Sequence, residues 1–197
     1  YHLNAHDEGL DYMRRNIDAW WPHIEQGVEA IVMTASGCGA MVKEYGHLLE
    51  RDPRYAQKAA KVSALMKDAT EVLHAERTAI EARFRPPGNG RGKVAFHSPC
   101  TLQHALKIRG LAESLLVAAG YALTDVPDGH LCCGSAGTYS ILQATLSKQL
   151  LTNKVEALES GSPDVIATAN IGCLTHIQSG TSVPVRHWVE LVEEALA

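Results

Sequence analysis

Four of the five cysteines in this chain form a spaced set that could bind a metal: Cys100, the adjacent pair Cys132 and Cys133, and Cys173. Thirty-one residues separate Cys100 from Cys132, and thirty-nine separate Cys133 from Cys173. Because each interval can hold a helix and a strand, the four thiols can meet only in the folded chain. Structural zinc sites usually carry paired ligands about two to four residues apart, whereas iron–sulfur clusters accept several cysteine spacings. The spacing therefore favours an iron–sulfur site.

The elements that must position these cysteines are short apolar strands alternating with helices. This alternation predicts an α/β fold of tandem βα units with mostly parallel, short-stranded sheets. One long alanine-rich helix is expected to begin at Asp52-Pro53 and to end near Phe84. The other predicted helices cover 8–26, 102–119, 139–158 and 188–196, and the predicted strands cover 30–34, 94–96, 121–126 and 164–168.

Three cysteines follow predicted strands directly and open the next helix: Cys38, Cys100 and Cys173. Ligands of open α/β sheets gather at the carboxyl ends of the strands. A helix N-terminus also favours the thiolate form of cysteine, which is the form that binds metals. A single free cysteine is more often a small buried apolar residue, but this repeated placement indicates a functional cluster.

Two segments of the chain resemble each other, residues 31–38 and residues 165–173, with one residue inserted in the second. Such a repeat predicts a duplicated supersecondary unit. The counterparts of Cys132 and Cys133 would lie before residue 1, so we expect the first copy to be truncated and the chain to be the C-terminal part of a larger protein. A Pro/Gly-rich segment at 86–92 is the clearest linker between the two copies.

Composition narrows the classes of partner. The chain has 197 residues, 46% of them apolar, and a net charge of −4 without a basic cluster, which argues against nucleic acid. Its longest apolar stretch is too short to span a bilayer. An odd cysteine count and the lack of a signal peptide indicate a reducing, cytoplasmic compartment, with peripheral contact to the inner membrane left open.

The motifs around the cysteines resemble the cysteine-rich CCG domain. They are His97–Cys100 (HSPC), Leu131–Gly137 (LCCGSAG) and Asn170–Cys173 (NIGC). This domain occurs in tandem in heterodisulfide reductase, in lactate-utilisation proteins and in the iron–sulfur subunit of glycolate oxidase. Residues 16–21, 34–39 and 181–188 are similar to the last of these in particular. The resemblance implies a complete second CCG unit at 93–197, a linker at 86–92, and the rest of a first unit with a connecting helix at 1–85.

The same resemblance implies a role in electron transfer. Cys100, Cys132, Cys133 and Cys173 would hold an iron–sulfur cluster, a 4Fe-4S centre of the cubane or the non-cubane type. A flavoprotein subunit carrying FAD would oxidise glycolate or another 2-hydroxy acid, and the electrons would pass toward a membrane quinone. No side chain of this chain is then expected to be catalytic.

Two further residues are candidates for contact with the cofactor, His176 and Gly134. In heterodisulfide reductase the last motif ends in a second cysteine, and His176 stands at that place here; imidazole can replace thiolate at iron–sulfur centres. Gly134 is expected to permit a tight turn that directs backbone N–H groups at the sulfide of a cluster. His97, His104 and His130 lie near cysteines in sequence, but each more often forms a hydrogen bond beside a site or lies at the surface.

Two other classes of function remain open from the residues alone. The same cysteines and histidines could form a zinc site, which needs only four tetrahedral ligands. Alternatively, the pair Cys132 and Cys133 could cycle between dithiol and a strained, reducible disulfide.

Overall fold

The structure is a computed structural model, and it describes residues 1 and 3–196. Its strands are β1 (Ile31–Met33), β2 (Met66–Asp68), β3 (Lys93–His97), β4 (Ala122–Leu123), β5 (Val165–Thr168) and β6 (Val185–His187). Its helices are α1 (His6–Glu25), α2 (Ser36–Lys43), α3 (Tyr45–Leu48), α4 (Ala56–Leu65), α5 (Ala69–Ala75), α6 (Arg77–Glu81), α7 (Leu111–Ala118), α8 (Tyr139–Leu142), α9 (Ala144–Glu159), α10 (Ile171–Gln178) and α11 (Trp188–Ala195), with a π-helical turn at Thr101–Ala105.

The strands form two parallel sheets, which confirms the predicted α/β class. Strands β1 and β2 form a pair, and the second sheet has the order β4-β3-β5-β6. In the second sheet, β3 and β5 are central, and their last residues, His97 and Thr168, are register partners. The carboxyl ends of these two strands therefore lie side by side, at the edge where ligands of parallel sheets gather.

The predicted alanine-rich helix ending near Phe84 is wrong. The structure divides this segment into α4, β2, α5 and α6. The break occurs because Met66–Asp68 pairs with β1, where Met66 is fully buried. Asp68 then starts α5 through a capping box in which its side chain accepts from Thr70 N and Glu71 accepts from Asp68 N. Pairing and capping together outweigh the helix propensity of the alanines.

Several other predicted elements are shorter or divided in the structure. The predicted strand at 121–126 forms a ladder only over Ala122–Leu123, and the helices expected at 102–119 and 139–158 are each interrupted. Strand β6, at Val185–His187, was not predicted. The segment at 86–92 has no regular secondary structure, and the division of the chain into two CCG units stays a prediction.

Both faces of the second sheet are covered by helices. On one face, Val94 and Phe96 of β3 pack with α7 and α11 around the buried Trp188. On the other face, Ala95 and Ile166 pack with α9 and α10, and this cluster includes Cys133 and Cys173. A separate core joins α1, α2 and α4. Two of the site cysteines are thus embedded in the apolar layer beneath the second sheet.

Within the described residues, no helix has the length and apolar character needed to cross a bilayer.

Candidate metal centre

The four predicted ligands reach one place from three loops that follow strands. Cys100 lies three residues after the end of β3 and directly precedes the π-helical turn. Cys132 and Cys133 lie in the connection between β4 and α8, and Cys173 is in the first turn of α10, after β5. Since β3, β4 and β5 are parallel neighbours, their following loops converge at one edge of the sheet.

The four sulfur atoms form a row at this edge, in which neighbouring thiols shift one another's pKa. Cys100 acts on Cys132, Cys132 on Cys133, and Cys133 on Cys173. All five cysteines are free thiols, with Cys133 and Cys173 buried and Cys100 and Cys132 partly exposed. The fold therefore brings the four predicted cysteines together, whereas Cys38 is exposed on α2.

Protons are distributed unevenly along this row. Hydrogen bonds from Cys100 and Cys133 lower the pKa of Cys132, and the bond from Cys133 lowers the pKa of Cys173 to about 5. Hydrogen bonding to Cys132 is the main cause that raises the pKa of both Cys100 and Cys133. Cys132 and Cys173 therefore lose their protons more readily than Cys100 and Cys133, and a deprotonated sulfur is the form that binds metals.

Backbone and side-chain donors point at the sulfurs of Cys132 and Cys173. Gly134 N donates to Cys132 Sγ at 3.3 Å, and Asn170 Nδ2 donates to Cys173 Sγ at 3.6 Å. The turn at Gly134 has φ +93°, and a Cβ at this position would lie 2.5 Å from the backbone oxygen of Ser147. Only glycine fits this turn without strain. The backbone N–H of Gly134 therefore faces sulfur, and its contact with a cofactor stays a prediction.

His176 lies beside the cysteine loop and is held by another residue. Its Nε2 is 3.3 Å from Ser147 Oγ, and that hydroxyl donates to Gly134 O at 2.9 Å. Because the Ser147 proton is used by Gly134, His176 Nε2 is the donor in this pair. In the structure His176 is thus part of a chain that fixes the Gly134 turn, and its role as a ligand stays a prediction.

His97 is a polar group whose burial the sequence alone did not indicate. It is the last residue of β3 and is only 1% exposed. One ring nitrogen of His97 and the sulfurs of Cys133 and Cys173 all lie within 4.8 Å of one another. The HSPC motif marked His97 as a neighbour of Cys100 in sequence, but its burial follows from pairing in the sheet.

Lys154 is a residue that sequence reasoning missed. This lysine on α9 is 2% exposed, and its Nζ donates to Asp128 O at 2.9 Å. Burial lowers the pKa of Lys154, while attraction from Cys133 raises it. The apolar spacing of Leu151, Val155 and Leu158 places position 154 near the buried face of α9, which is a signal that could have found it.

The donor set suits a thiophilic metal centre. Four sulfurs and one imidazole, largely withdrawn from solvent, match the ligands that iron–sulfur clusters and zinc prefer. Both ring nitrogens of buried His97 lack a hydrogen-bond partner among the described residues. Buried polar groups normally have a partner, and a bound metal would provide one. The residues present therefore fit the metal centre that the cysteine spacing predicts.

Comparison with known proteins agrees with this geometry. The family model of the CCG cysteine-rich domain matches residues 94–178. The chain is 56% identical over 199 residues to the glycolate oxidase iron-sulfur subunit of Escherichia coli (strain K12), covering 100% of this chain and 47% of that protein. It is 30% identical over 180 residues to the probable glycolate oxidase iron-sulfur subunit of Bacillus subtilis (strain 168), covering 91% of this chain and 39% of that protein.

A shorter relative is matched over most of its length. The chain is 30% identical over 190 residues to lactate utilization protein A of Bacillus subtilis (strain 168), covering 91% of this chain and 74% of that protein. It spans less than half of the two glycolate oxidase subunits. The similarity extends beyond the matched cysteine-rich domain, since the alignment with the Escherichia coli protein covers the whole chain. The chain therefore belongs to the family of CCG cysteine-rich-domain proteins that includes the glycolate oxidase iron–sulfur subunit and lactate utilization protein A.

Proposed function

We propose that this chain binds an iron–sulfur cluster of the 4Fe-4S type through Cys100, Cys132, Cys133 and Cys173 and serves in electron transfer during oxidation of a 2-hydroxy acid. The observation that carries the proposal is the unbroken row of four sulfurs at one sheet edge. The names of the relatives, which concern glycolate oxidase and lactate utilization, support the class of substrate.

The residues of this chain prepare the site for such a centre. The pKa of both Cys132 and Cys173 is lowered, and the N–H of Gly134 and the amide of Asn170 would stabilise the negative charge of their sulfurs. The apolar cluster around Cys133 and Cys173 excludes water, which strengthens these interactions. When bound, the cluster would accept and release single electrons.

The other components of the reaction belong to partners. A flavoprotein subunit would oxidise the 2-hydroxy acid to the 2-oxo acid, and its FAD would take up the two electrons. This chain would then pass the electrons on one at a time and needs no catalytic side chain. A membrane quinone is the proposed final acceptor, and the chain would then act as a peripheral component at the cytoplasmic face of the inner membrane.

Metal and sulfide analysis of anaerobically purified protein tests the proposal. We expect iron and sulfide in equal amounts, about four of each, with a visible absorption band that glycolate and the flavoprotein partner bleach together. Cys133→Ser should lose the cluster, and Cys38→Ser, the matched control, should keep it. Zinc without iron would replace the proposal with a zinc site. A metal-free protein with a Cys132–Cys133 disulfide would replace it with thiol redox chemistry.

The zinc alternative has one specific observation in its favour. His97, Cys133 and Cys173 place three donor atoms within 4.8 Å of one another, as a single tetrahedral metal ion requires. Zinc, however, needs only one donor more, whereas the row offers both Cys132 and Cys100. The extra sulfur favours a cluster.

A further inference from the structure

We propose that His97, and not His176, donates an imidazole nitrogen to the metal centre held by Cys133 and Cys173. This inference rests on the proposed function in one respect, that these cysteines bind metal. It goes beyond it by adding a nitrogen ligand from strand β3.

The state of the His97 ring is the first reason for this assignment. The residue is 1% exposed, and neither Nδ1 nor Nε2 has a hydrogen-bond partner among the described residues. A buried imidazole without partners destabilises the fold, because its nitrogens lose the hydrogen bonds that water would provide. A metal bound to one nitrogen would remove part of this penalty.

The distance from His97 to the sulfurs is the second reason. One His97 nitrogen and the Sγ atoms of Cys133 and Cys173 lie within 4.8 Å of one another. These three donor atoms are therefore close enough together to share one metal ion.

A neighbouring hydroxyl for the other ring nitrogen is the third reason. Thr168 is the register partner of His97 on β5, so both side chains lie on the same face of the sheet. Its hydroxyl is also buried and has no hydrogen-bond partner in the part of the chain that the structure describes. Histidines that bind metals almost always donate their second N–H to a neighbouring oxygen. The Thr168 hydroxyl is therefore the neighbouring oxygen that we assign to the second nitrogen of a metal-bound His97.

His176 lacks these features. Its Nε2 already bonds to Ser147 Oγ, and the side chain is only partly buried. Turning it toward the sulfurs would break its bond to Ser147 Oγ, the hydroxyl that donates to Gly134 O. The structure therefore gives His176 the role of positioning the loop.

Pulsed EPR on the reduced, cluster-loaded protein tests the assignment. With protein labelled at histidine with ¹⁵N, the wild type should show a strong nitrogen coupling that changes with the isotope. His176→Asn, the matched control, should keep the coupling, whereas His97→Asn should lose it. A second variant, His97→Cys, should restore metal binding without nitrogen coupling and with a lower reduction potential, because thiolate ligands favour oxidised iron.

The spectrum of the wild-type protein shows whether a histidine binds the cluster, even if a variant does not fold. Absence of histidine coupling in the loaded wild type, or its loss in His176→Asn but not in His97→Asn, would overturn the inference. If the protein holds no iron, the proposed iron–sulfur cluster is rejected, but the assignment of His97 as a ligand can still be tested with Co²⁺ as the probe. Cobalt bound with nitrogen coupling that requires His97 would still support the ligand, whereas cobalt bound without it, or not bound, would reject it.

Discussion

Replacing Gly134 by alanine tests how the loop that carries the cysteine pair is held. Gly134 has φ +93°, and its new Cβ would lie 2.5 Å from Ser147 O and 3.2 Å from Leu150 Cβ. The left-handed backbone costs an alanine about 1–2 kcal/mol. The close contact is with the backbone of α9, which cannot move alone, and such overpacking costs about 1–3 kcal/mol. We therefore expect Gly134→Ala to lower the free energy of unfolding by about 2–5 kcal/mol.

Gly137→Ala is the matched control in the same loop. Gly137 also has a positive φ, +58°, but a Cβ there would meet no atom within 4 Å. This variant should show only the backbone penalty of about 1–2 kcal/mol. The difference between the two variants isolates the contact with α9.

Urea unfolding of the metal-free proteins, followed by circular dichroism, measures both values, and iron content after reconstitution measures the effect on the site. For a chain of this size each kcal/mol lowers Tm by about 2–4 °C. Equal losses in the two variants would refute the argument, because the space around Gly134 would then be irrelevant. Normal iron content in Gly134→Ala would show that the site tolerates a shift of the turn that carries the donor to Cys132 Sγ.

Three further predictions concern charges and the fifth cysteine. Lys154→Gln removes a buried cation near the cysteine sulfurs. We expect the reduction potential of the cluster to fall by roughly 40–90 mV, which is equivalent to about 1–2 kcal/mol of lost attraction to the added electron. Redox titration measures this change, and Lys148→Gln on the exposed face of α9 is the control. Burial raises the pKa of Asp68, so the folded state binds this proton more tightly than the unfolded state. Stability should therefore fall as pH rises from about 4 through the raised pKa, and pH-dependent urea unfolding should show this slope in the wild type but not in Asp68→Asn. Cys100→Ser should reduce iron content after reconstitution, whereas Cys38→Ser should leave it unchanged; equal iron loss in both would contradict the row of four sulfurs.

Part of the fold and site follows from local sequence, and part does not. Apolar runs followed by cysteine predicted the convergence of Cys100 and Cys173, because parallel strands end at one edge. Strand β2 could not be found, because three residues within an alanine-rich segment become a strand only by pairing with β1. The burial of His97 likewise depends on neighbours distant in sequence, and no local pattern encodes it.

The two repeated segments place their cysteines at equivalent positions relative to the strand and helix in each sheet. Two residues separate β1 from α2 and β5 from α10, and the cysteine is the third residue of each helix, Cys38 and Cys173. The residue paired with the end of β1 is Asp68, and the residue paired with the end of β5 is His97. This equivalence supports the predicted duplication, which stays a prediction.

The two edges also touch each other. Ser36 N donates to Ala169 O at 3.2 Å, and Ser36 Oγ lies 2.8 Å from Thr101 Oγ1, next to Cys100. Ser36 is fully buried, so these bonds are shielded from water. The start of α2 thus holds both the turn before Cys173 and the turn after Cys100 in place. The first part of the chain therefore helps to fix the spacing of the predicted ligands, although all four sulfurs of the row come from the second part.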